Sequence, residues 1–248
     1  MVVRFPAPSV PLDGLDAALQ GQGYAILQPD AVAALAGVDL QDLVALQPSW
    51  DDLPLDEYLK DGGRYRRRRH SCFIAEEDAL RQVPHRHHWQ PVEYNALHGG
   101  MQRWFQPIAP ETIAQAAWSR LLLALARTCS KQMAVPRWHV EAHQFRIDTT
   151  DGLGRPTPEG AHRDGVDFVA VLLVGRHRIK GGETRIFEAD GPQGLRFTLE
   201  APWSLMLMDD PRVIHESTPI QPLDDAGGHR DTLVLTFRAN AFLGDDTG

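Results

Sequence analysis

Three residues in the second half of the chain have types and spacing suited to binding one metal ion: His162, Asp164 and His215. His162 and Asp164 begin a segment that predicts a strand, on which residues i and i+2 share a face about 6.5 Å apart. An imidazole nitrogen and a carboxylate oxygen at that spacing can reach one ion at about 2.0–2.2 Å. His215 lies in a later predicted strand and supplies the third ligand.

Other ligand combinations are weaker. A second His-x-Asp pair, His229 and Asp231, has no histidine after it, and His177 lies in the basic turn RHRIK, a poor environment for a cation. Two imidazoles and one carboxylate form the facial triad of non-haem Fe(II) oxygenases, which leaves the opposite side of the ion open for an organic acid and dioxygen. Zinc hydrolases use similar ligands, so the triad alone leaves a zinc or manganese hydrolase open.

Arg230, at the start of another predicted strand, favours the oxygenase. Its planar guanidinium suits the far carboxylate of 2-oxoglutarate, the common cosubstrate of such enzymes, because it can donate two parallel hydrogen bonds. Thr232 shares the face of Arg230 and can donate its hydroxyl to the same carboxylate. Arg238 also shares this face but stands about 26 Å further along an extended strand, which makes it the second choice. Hydrolysis needs no such dicarboxylate anchor.

The order of these elements resembles the Fe(II)/2-oxoglutarate-dependent dioxygenases. The similar blocks are HRDGVDFVAVLLV, GGETRIF, MDDPRVIHESTPI and RDTLVLTF. More narrowly, residues 85–240 are similar to the bacterial branch that hydroxylates free L-amino acids, the isoleucine-dioxygenase type. The resemblance implies a mainly β fold, with a double-stranded β-helix (jelly roll) core and flanking helices. It also implies Fe(II) bound by the triad, 2-oxoglutarate held by Arg230 and Thr232, and O₂ as the oxidant, with release of succinate and CO₂.

Two further segments are similar to parts of this branch. The segment GGET places Thr184 in the cosubstrate-binding site, although a simple glycine turn is an alternative. HHWQPVEYNALHGGMQRWF predicts a substrate-covering segment in which Gln90, Tyr94 and Asn95 bind substrate, with ordinary packing as the alternative.

Gln144 and Arg146 alternate on a predicted strand over residues 138–148. If their face lines the barrel, Gln144 binds cosubstrate or substrate, and Arg146 binds a substrate carboxylate. A surface salt bridge is an equal alternative for Arg146.

The elements that must position these residues follow from the apolar pattern. A short strand is predicted at 23–27, a helix after Asp30, and a long helix from Pro110 to about Met133 in which apolar residues recur at helical spacing. The predicted strands that follow are 138–148, 162–175, 183–188, 195–199, 203–208, 212–220 and 231–240. We expect one domain over residues 1–248, with a helix-rich part (1–135) and a β-helix core (136–240).

The basic run RYRRRRH at residues 64–70 is interpreted as a solvated or locally paired segment, with anion binding as the alternative. Histidines outside the triad are expected to be exposed or hydrogen-bonded. They are His85, His87, His88, His98, His139, His143 and His229.

Composition excludes several classes of protein. The 248 residues are 43% hydrophobic and 23% charged, which excludes wholesale disorder, and the net charge of −8 argues against a general nucleic-acid binder. Two cysteines exclude a disulfide framework and a Cys-rich metal centre. No apolar run approaches the roughly 20 residues of a membrane span, and the first residues lack a signal-peptide core, so we expect a cytoplasmic protein.

The function expected from the sequence is an Fe(II)- and 2-oxoglutarate-dependent dioxygenase that hydroxylates a small metabolite, a free L-amino acid. The alternative is a cupin-like sensor that binds metal and 2-oxoglutarate without turnover.

Overall fold

A computed structural model describes residues 5–95 and 97–245. The helices in these ranges are α1 (Leu15–Gln22), α2 (Pro29–Ala36), α3 (Leu40–Val44), α4 (Pro110–Ile113) and α5 (Ala116–Met133). The strands are β1 (Tyr24–Leu27), β2 (Arg66–Glu76), β3 (Ala79–Gln82), β4 (Arg137–Asp148), β5 (Phe168–His177), β6 (Ile179–Gly181), β7 (Thr184–Glu188), β8 (Gly194–Phe197), β9 (Leu205–Asp209), β10 (Val213–Ser217), β11 (Ile220–Pro222) and β12 (His229–Arg238).

The strands form one large antiparallel sheet and two small ones. The large sheet has the order β1-β9-β5-β12-β4-β2-β3, and the smaller sheets are β10-β7-β8 and β11-β6. Residues of β5, β9 and β12 line a cavity together with residues of β10, so the large sheet and the three-stranded sheet enclose it. The mainly β jelly roll with flanking helices that the sequence predicts is confirmed.

The central strand β12 separates the helix-packed core from the cavity. Its register pairs it with β4 on one side and β5 on the other. Alternate side chains point to opposite faces of a strand. The β12 side chains that pack in the core with the helices are apolar and fully buried: Leu233, Leu235 and Phe237. Those that line the cavity are mostly polar: Arg230, Thr232, Val234 and Thr236.

Several element boundaries differ from the prediction. The helix after Asp30 ends at Gly37, which adopts a left-handed conformation with φ +66°, and a second helix follows. The long predicted helix is interrupted between Ile113 and Ala116. The basic run forms the first part of the long strand β2, and this strand was not predicted from the sequence.

The predicted strand over residues 162–175 begins only at Phe168. The backbone N–H groups of Asp164, Gly165 and Val166 donate to the Asp210 carboxylate instead of to a neighbouring strand. His162 makes a single antiparallel bridge to His215, and Asp164 lies on the loop that follows, so the predicted strand does not include Asp164.

No helix in the described ranges combines the length and apolar character needed to cross a membrane.

Replacing Leu235 by alanine tests the core around β12. The side chain is fully buried, so Leu235→Ala should lower the free energy of unfolding by about 2–5 kcal/mol through lost burial and a residual cavity. The matched control is Leu223→Ala, because Leu223 is 59% exposed and its change should stay within about 0.5 kcal/mol. Urea unfolding followed by circular dichroism measures both, and equal losses would contradict the assigned core.

Candidate functional site

The three predicted metal ligands come together at one end of the cavity. His162 and His215 exchange two backbone hydrogen bonds, of 3.0 and 2.9 Å, which join the loop to β10. Asp164 Oδ1 lies 3.7 Å from His162 Nε2, and Asp164 Oδ2 lies 3.8 Å from His215 Nε2. One donor atom from each residue can therefore face a single ion.

The loop that carries Asp164 is fixed from two sides. Asp210 accepts the backbone N–H groups of residues 164–166 at 2.9–3.1 Å, which holds the chain in a tight turn. Gly165 has φ +77°, and a Cβ there would lie 2.5 Å from the Tyr94 ring. Glycine is therefore required both by the backbone conformation and by the close contact with Tyr94.

The chemistry of the donor set fits a divalent cation. His162 donates from Nδ1 to the Gly160 carbonyl at 2.9 Å, which leaves the lone pair of Nε2 for a metal. Burial raises the pKa of Asp164 and lowers the pKa of His215, whereas the charges of Asp164 and Glu159 outweigh burial and raise the pKa of His162. A buried carboxylate beside two imidazoles is stabilised by a cation that the three side chains share. The residues present therefore suit the Fe(II) site that the sequence predicts.

Arg230 supplies a buried cation at the same cavity. It is 4% exposed, and its Nε has no hydrogen-bond partner in the described part of the chain. Burial and the nearby Arg176 lower the pKa of Arg230 to about 9. Thr232 lies two positions on, is buried, and lines the same cavity. This arrangement suits the carboxylate of an acid bound in the cavity.

Thr184 lies close to this region but is not among the residues that line the cavity. It pairs in register with Ser217, which does line it. Its buried Oγ1 has no hydrogen-bond partner among residues 5–95 and 97–245.

Two arginines of the basic run form part of the cavity wall. Arg66 and Arg68 alternate on β2 and are buried, so the interpretation of a solvated segment is wrong for these two residues. Arg66 Nε donates to Asp56 at 2.7 Å, which is a local pair of the kind expected. Arg68 is held between the rings of Phe105 and Phe145, at 3.7 and 4.4 Å from their centroids.

The predicted substrate-covering segment adds a third buried arginine. Arg103 donates to Gln90 Oε1 at 2.9 Å, and Asn95 donates to the same oxygen at 3.1 Å. These two bonds fix the orientation of the Gln90 amide, whose Nε2 donates to Asp164 Oδ1 at 3.2 Å. Gln90 therefore connects the covering segment to a predicted metal ligand, and both Gln90 and Asn95 line the cavity.

Glu159 places a negatively charged carboxylate in the same cavity. Its Oε1 lies 3.5 Å from His162 Nε2. Its Oε2 is buried and, among the described residues, accepts no hydrogen bond. The cavity thus contains buried polar atoms of both charges that lack partners.

A second group of potential metal ligands lies on the wall formed by β2 and β4: His70, His88, Glu141 and His143. His70 Nε2 and His88 Nδ1 each lie 2.8 Å from the same oxygen of Glu141, which is a hydrogen-bond distance. Arg68 donates to His143 Nδ1 at 2.7 Å, and because arginine only donates, the hydrogen of this ring is on Nε2.

This second group is a hydrogen-bonded network around one carboxylate. Burial lowers the pKa of His88 to about 3. The pKa of Glu141 lies below its usual range because the hydrogen bonds and charges of His70 and His88 outweigh its burial. Glu141 is therefore a carboxylate that accepts hydrogen bonds from two histidines, and the expectation of hydrogen-bonded histidines holds for His88 and His143.

Two predicted substrate-binding residues, Gln144 and Arg146, do not line the cavity. On β4 the cavity-lining residues are His143, Phe145 and Ile147, and the alternate face carries Gln144 and Arg146. The prediction that Gln144 and Arg146 lie on a cavity-lining face is therefore wrong, because successive side chains of a strand point to opposite faces.

These two side chains have other partners. Arg146 donates two hydrogen bonds of 2.8 Å to Asp231 and one to Asp51. These contacts form a salt bridge, which was the alternative prediction for Arg146. Gln144 donates to Ser49 at 2.7 Å.

Two more predicted residues lie outside the cavity. Tyr94 packs on Gly165 and lines a separate surface depression that also contains Arg238. Arg238 donates to the Ala241 carbonyl at 2.9 Å. Among the two arginines considered as the anchor, Arg230 is the one that lines the cavity of the triad.

Four charged residues of this cavity were not predicted as site residues: Arg66, Arg68, Arg103 and Glu159. Arg66 and Arg68 are two positions apart and share a face of β2, but the four consecutive arginines at 66–69 give no alternation that would predict a strand. Arg103 and Glu159 lie on irregular segments, where sequence periodicity carries no information about direction.

Comparison with known proteins agrees with this geometry. The family model described as 2OG-Fe dioxygenase matches residues 47–236. The crystal structure of a bsmA homolog from Methylobium petroleophilum PM1 is 52% identical, with 96% of this chain and 97% of that chain covered and a TM-score of 0.91. A search of curated proteins finds no match.

Two more distant structures are similar in fold. IDO from Bacillus thuringiensis is 16% identical, with 93% of this chain and 96% of that chain covered and a TM-score of 0.73. The Fe(II)/(alpha)ketoglutarate-dependent dioxygenase TqaL is 20% identical, with 94% and 89% covered and a TM-score of 0.72. The family match covers most of the chain and includes the triad and Arg230. The chain therefore belongs to the 2OG-Fe dioxygenase family and is a 2-oxoglutarate-dependent dioxygenase that uses Fe(II) and O₂.

Proposed function

We propose that this enzyme hydroxylates a free L-amino acid and that His162, Asp164 and His215 bind its Fe(II). The observation that carries the proposal is that one cavity contains the triad, the buried cation Arg230 and the carboxylate of Glu159. A zwitterion of small size suits a cavity with charges of both signs.

Each side chain has a role that follows from its position. Arg230 binds the far carboxylate of 2-oxoglutarate, and the Thr232 hydroxyl donates to the same group. Gln90 donates to Oδ1 of Asp164, which orients the carboxylate toward the metal. Thr184, with its buried hydroxyl beside this region, is a further candidate for the cosubstrate.

When bound, Fe(II), 2-oxoglutarate and O₂ supply the oxidative decarboxylation and C–H hydroxylation typical of this family. The protein binds both acids at fixed positions. The covering segment shields part of the cavity from solvent, because Gln90, Asn95 and Arg103 line the cavity and are almost fully buried.

Succinate release tests the proposed activity. We expect the purified enzyme with Fe(II), 2-oxoglutarate and O₂ to release succinate faster in the presence of at least one of the common L-amino acids. Mass spectrometry should show a hydroxylated product in equal amount. Binding of 2-oxoglutarate without amino-acid-dependent succinate would contradict the proposal and favour a sensor.

Removing a metal ligand should abolish Fe(II) binding. Asp164→Ala and His215→Ala each leave two ligands, too few for a stable site, while exposed Asp190→Ala is the matched control. Metal analysis after anaerobic dialysis should find one iron per wild-type and Asp190→Ala chain and little in the triad variants. A second iron that is lost on mutation of His143 would contradict the hydrogen-bonded interpretation of the Glu141 group.

Removing the anchor should separate cosubstrate binding from metal binding. Arg230→Ala should retain iron but raise the 2-oxoglutarate concentration needed for half-maximal formation of the visible Fe(II)–2-oxoglutarate band, by roughly tenfold or more. Arg238→Ala should titrate like the wild type, because Arg238 lies outside the cavity. The reverse pattern would show that the anchor is Arg238.

A further inference from the structure

Three buried arginines on one side of the cavity have hydrogen-bond donors that their protein partners do not satisfy. Arg66 and Arg68 share the carboxylate of Asp56, at 2.7 and 3.8 Å. Arg103 is 2% exposed and bonds to the neutral amide of Gln90. Burial and the charge of Arg66 lower the pKa of Arg103 to about 10, which shows that the two guanidinium groups repel each other.

The same wall has hydrogen-bond donors without acceptors. Arg66 Nη2 and Arg103 Nε are buried and have no partner anywhere in residues 5–95 and 97–245. A buried, unpaired donor on a charged group is costly, because the group has lost its hydration without gaining a protein partner. An anionic ligand would satisfy both donors and reduce the repulsion between them.

Three carboxylates stand against the three arginines, because Asp56, Glu159 and Glu141 all act on the charge of Arg103. A ligand without net charge, such as a zwitterion, preserves this balance, whereas a phosphate would add negative charge that the cavity does not compensate.

Glu159 has an acceptor that lacks a donor, the reverse of the arginines. Its buried Oε2 accepts no hydrogen bond from the described residues, and its Oε1 lies beside His162. An ammonium group on the ligand can donate to this oxygen. Because Glu159 lies beside a predicted metal ligand, the ammonium and the carbon next to it would lie close to the metal.

We propose that Arg66 and Arg103 bind the carboxylate of the substrate and that Glu159 binds its ammonium group. This assignment rests on the proposed amino-acid hydroxylase function and defines the two ends of the substrate. The contacts select a zwitterion with one carboxylate and place its carbon skeleton between the covering segment and the metal.

The test combines variants with substrate analogues that lack one of the two charges. For the best amino acid of the succinate screen, the analogues are the corresponding 2-hydroxy acid, which lacks the ammonium group, and the amino acid amide, which lacks the carboxylate. The variants are Glu159→Gln and Arg103→Gln, and Arg103→Lys keeps a cation if the glutamine variant is unstable. Exposed Glu57→Gln and Arg81→Gln are the matched controls.

Glu159→Gln should lower kcat/KM for the amino acid roughly ten- to a hundredfold and change it much less for the hydroxy acid. Arg103→Gln should lower kcat/KM for both acids by a similar factor and change it much less for the amide. Arg103→Lys should recover part of the loss. The anaerobic Fe(II)–2-oxoglutarate band should persist in all variants, which reports an intact fold and metal site.

The outcomes separate this inference from the proposed function. If no amino acid stimulates succinate release by the wild type, the proposed function and the assignment both fail. If the wild type is active but Glu159→Gln lowers turnover of the amino acid and the hydroxy acid equally, Glu159 acts through the metal site and the ammonium assignment fails. If Arg103→Gln affects acid and amide equally, the carboxylate assignment fails.

Discussion

The carboxylate of Asp210 holds the loop on which the metal site depends. Three successive backbone N–H groups, from residues 164 to 166, donate to it instead of joining a strand. This turn places the Asp164 carboxylate 3.7 Å from His162 Nε2 and 3.8 Å from His215 Nε2, and the backbones of the two histidines are joined directly.

Buried charge is the second constraint on the cavity. Arginines stay ionised in proteins, so each one that is buried needs an acceptor or a counter-charge. Arg230 and the wall of Arg66 and Arg103 retain donors without partners in the described part of the chain, and they lie in one cavity. Stability alone would disfavour such groups, and their presence together is explained by acids that bind there.

Neutral rings surround the middle arginine of this group. Phe105 and Phe145 lie against the guanidinium of Arg68, and His143 accepts its hydrogen bond. The carboxylate of Glu141 accepts hydrogen bonds from His70 and His88. Gln90 connects the covering segment to the metal site by donating to Asp164.

The sequence by itself determined the fold class, the ligand types and the order of the main elements. The alternating and continuous apolar patterns predicted the strands from residue 138 onward, and Arg230 with Thr232 shared a face as expected. Only the tertiary structure decided which face of each strand met the cavity. Gln144 and Arg146 lie on the face of β4 that packs toward the helices, together with Val140 and Ala142, while the other face of β4 lines the cavity. Arg103 and Glu159 line the cavity from irregular segments, and the direction of these segments is set by long-range contacts rather than by periodicity.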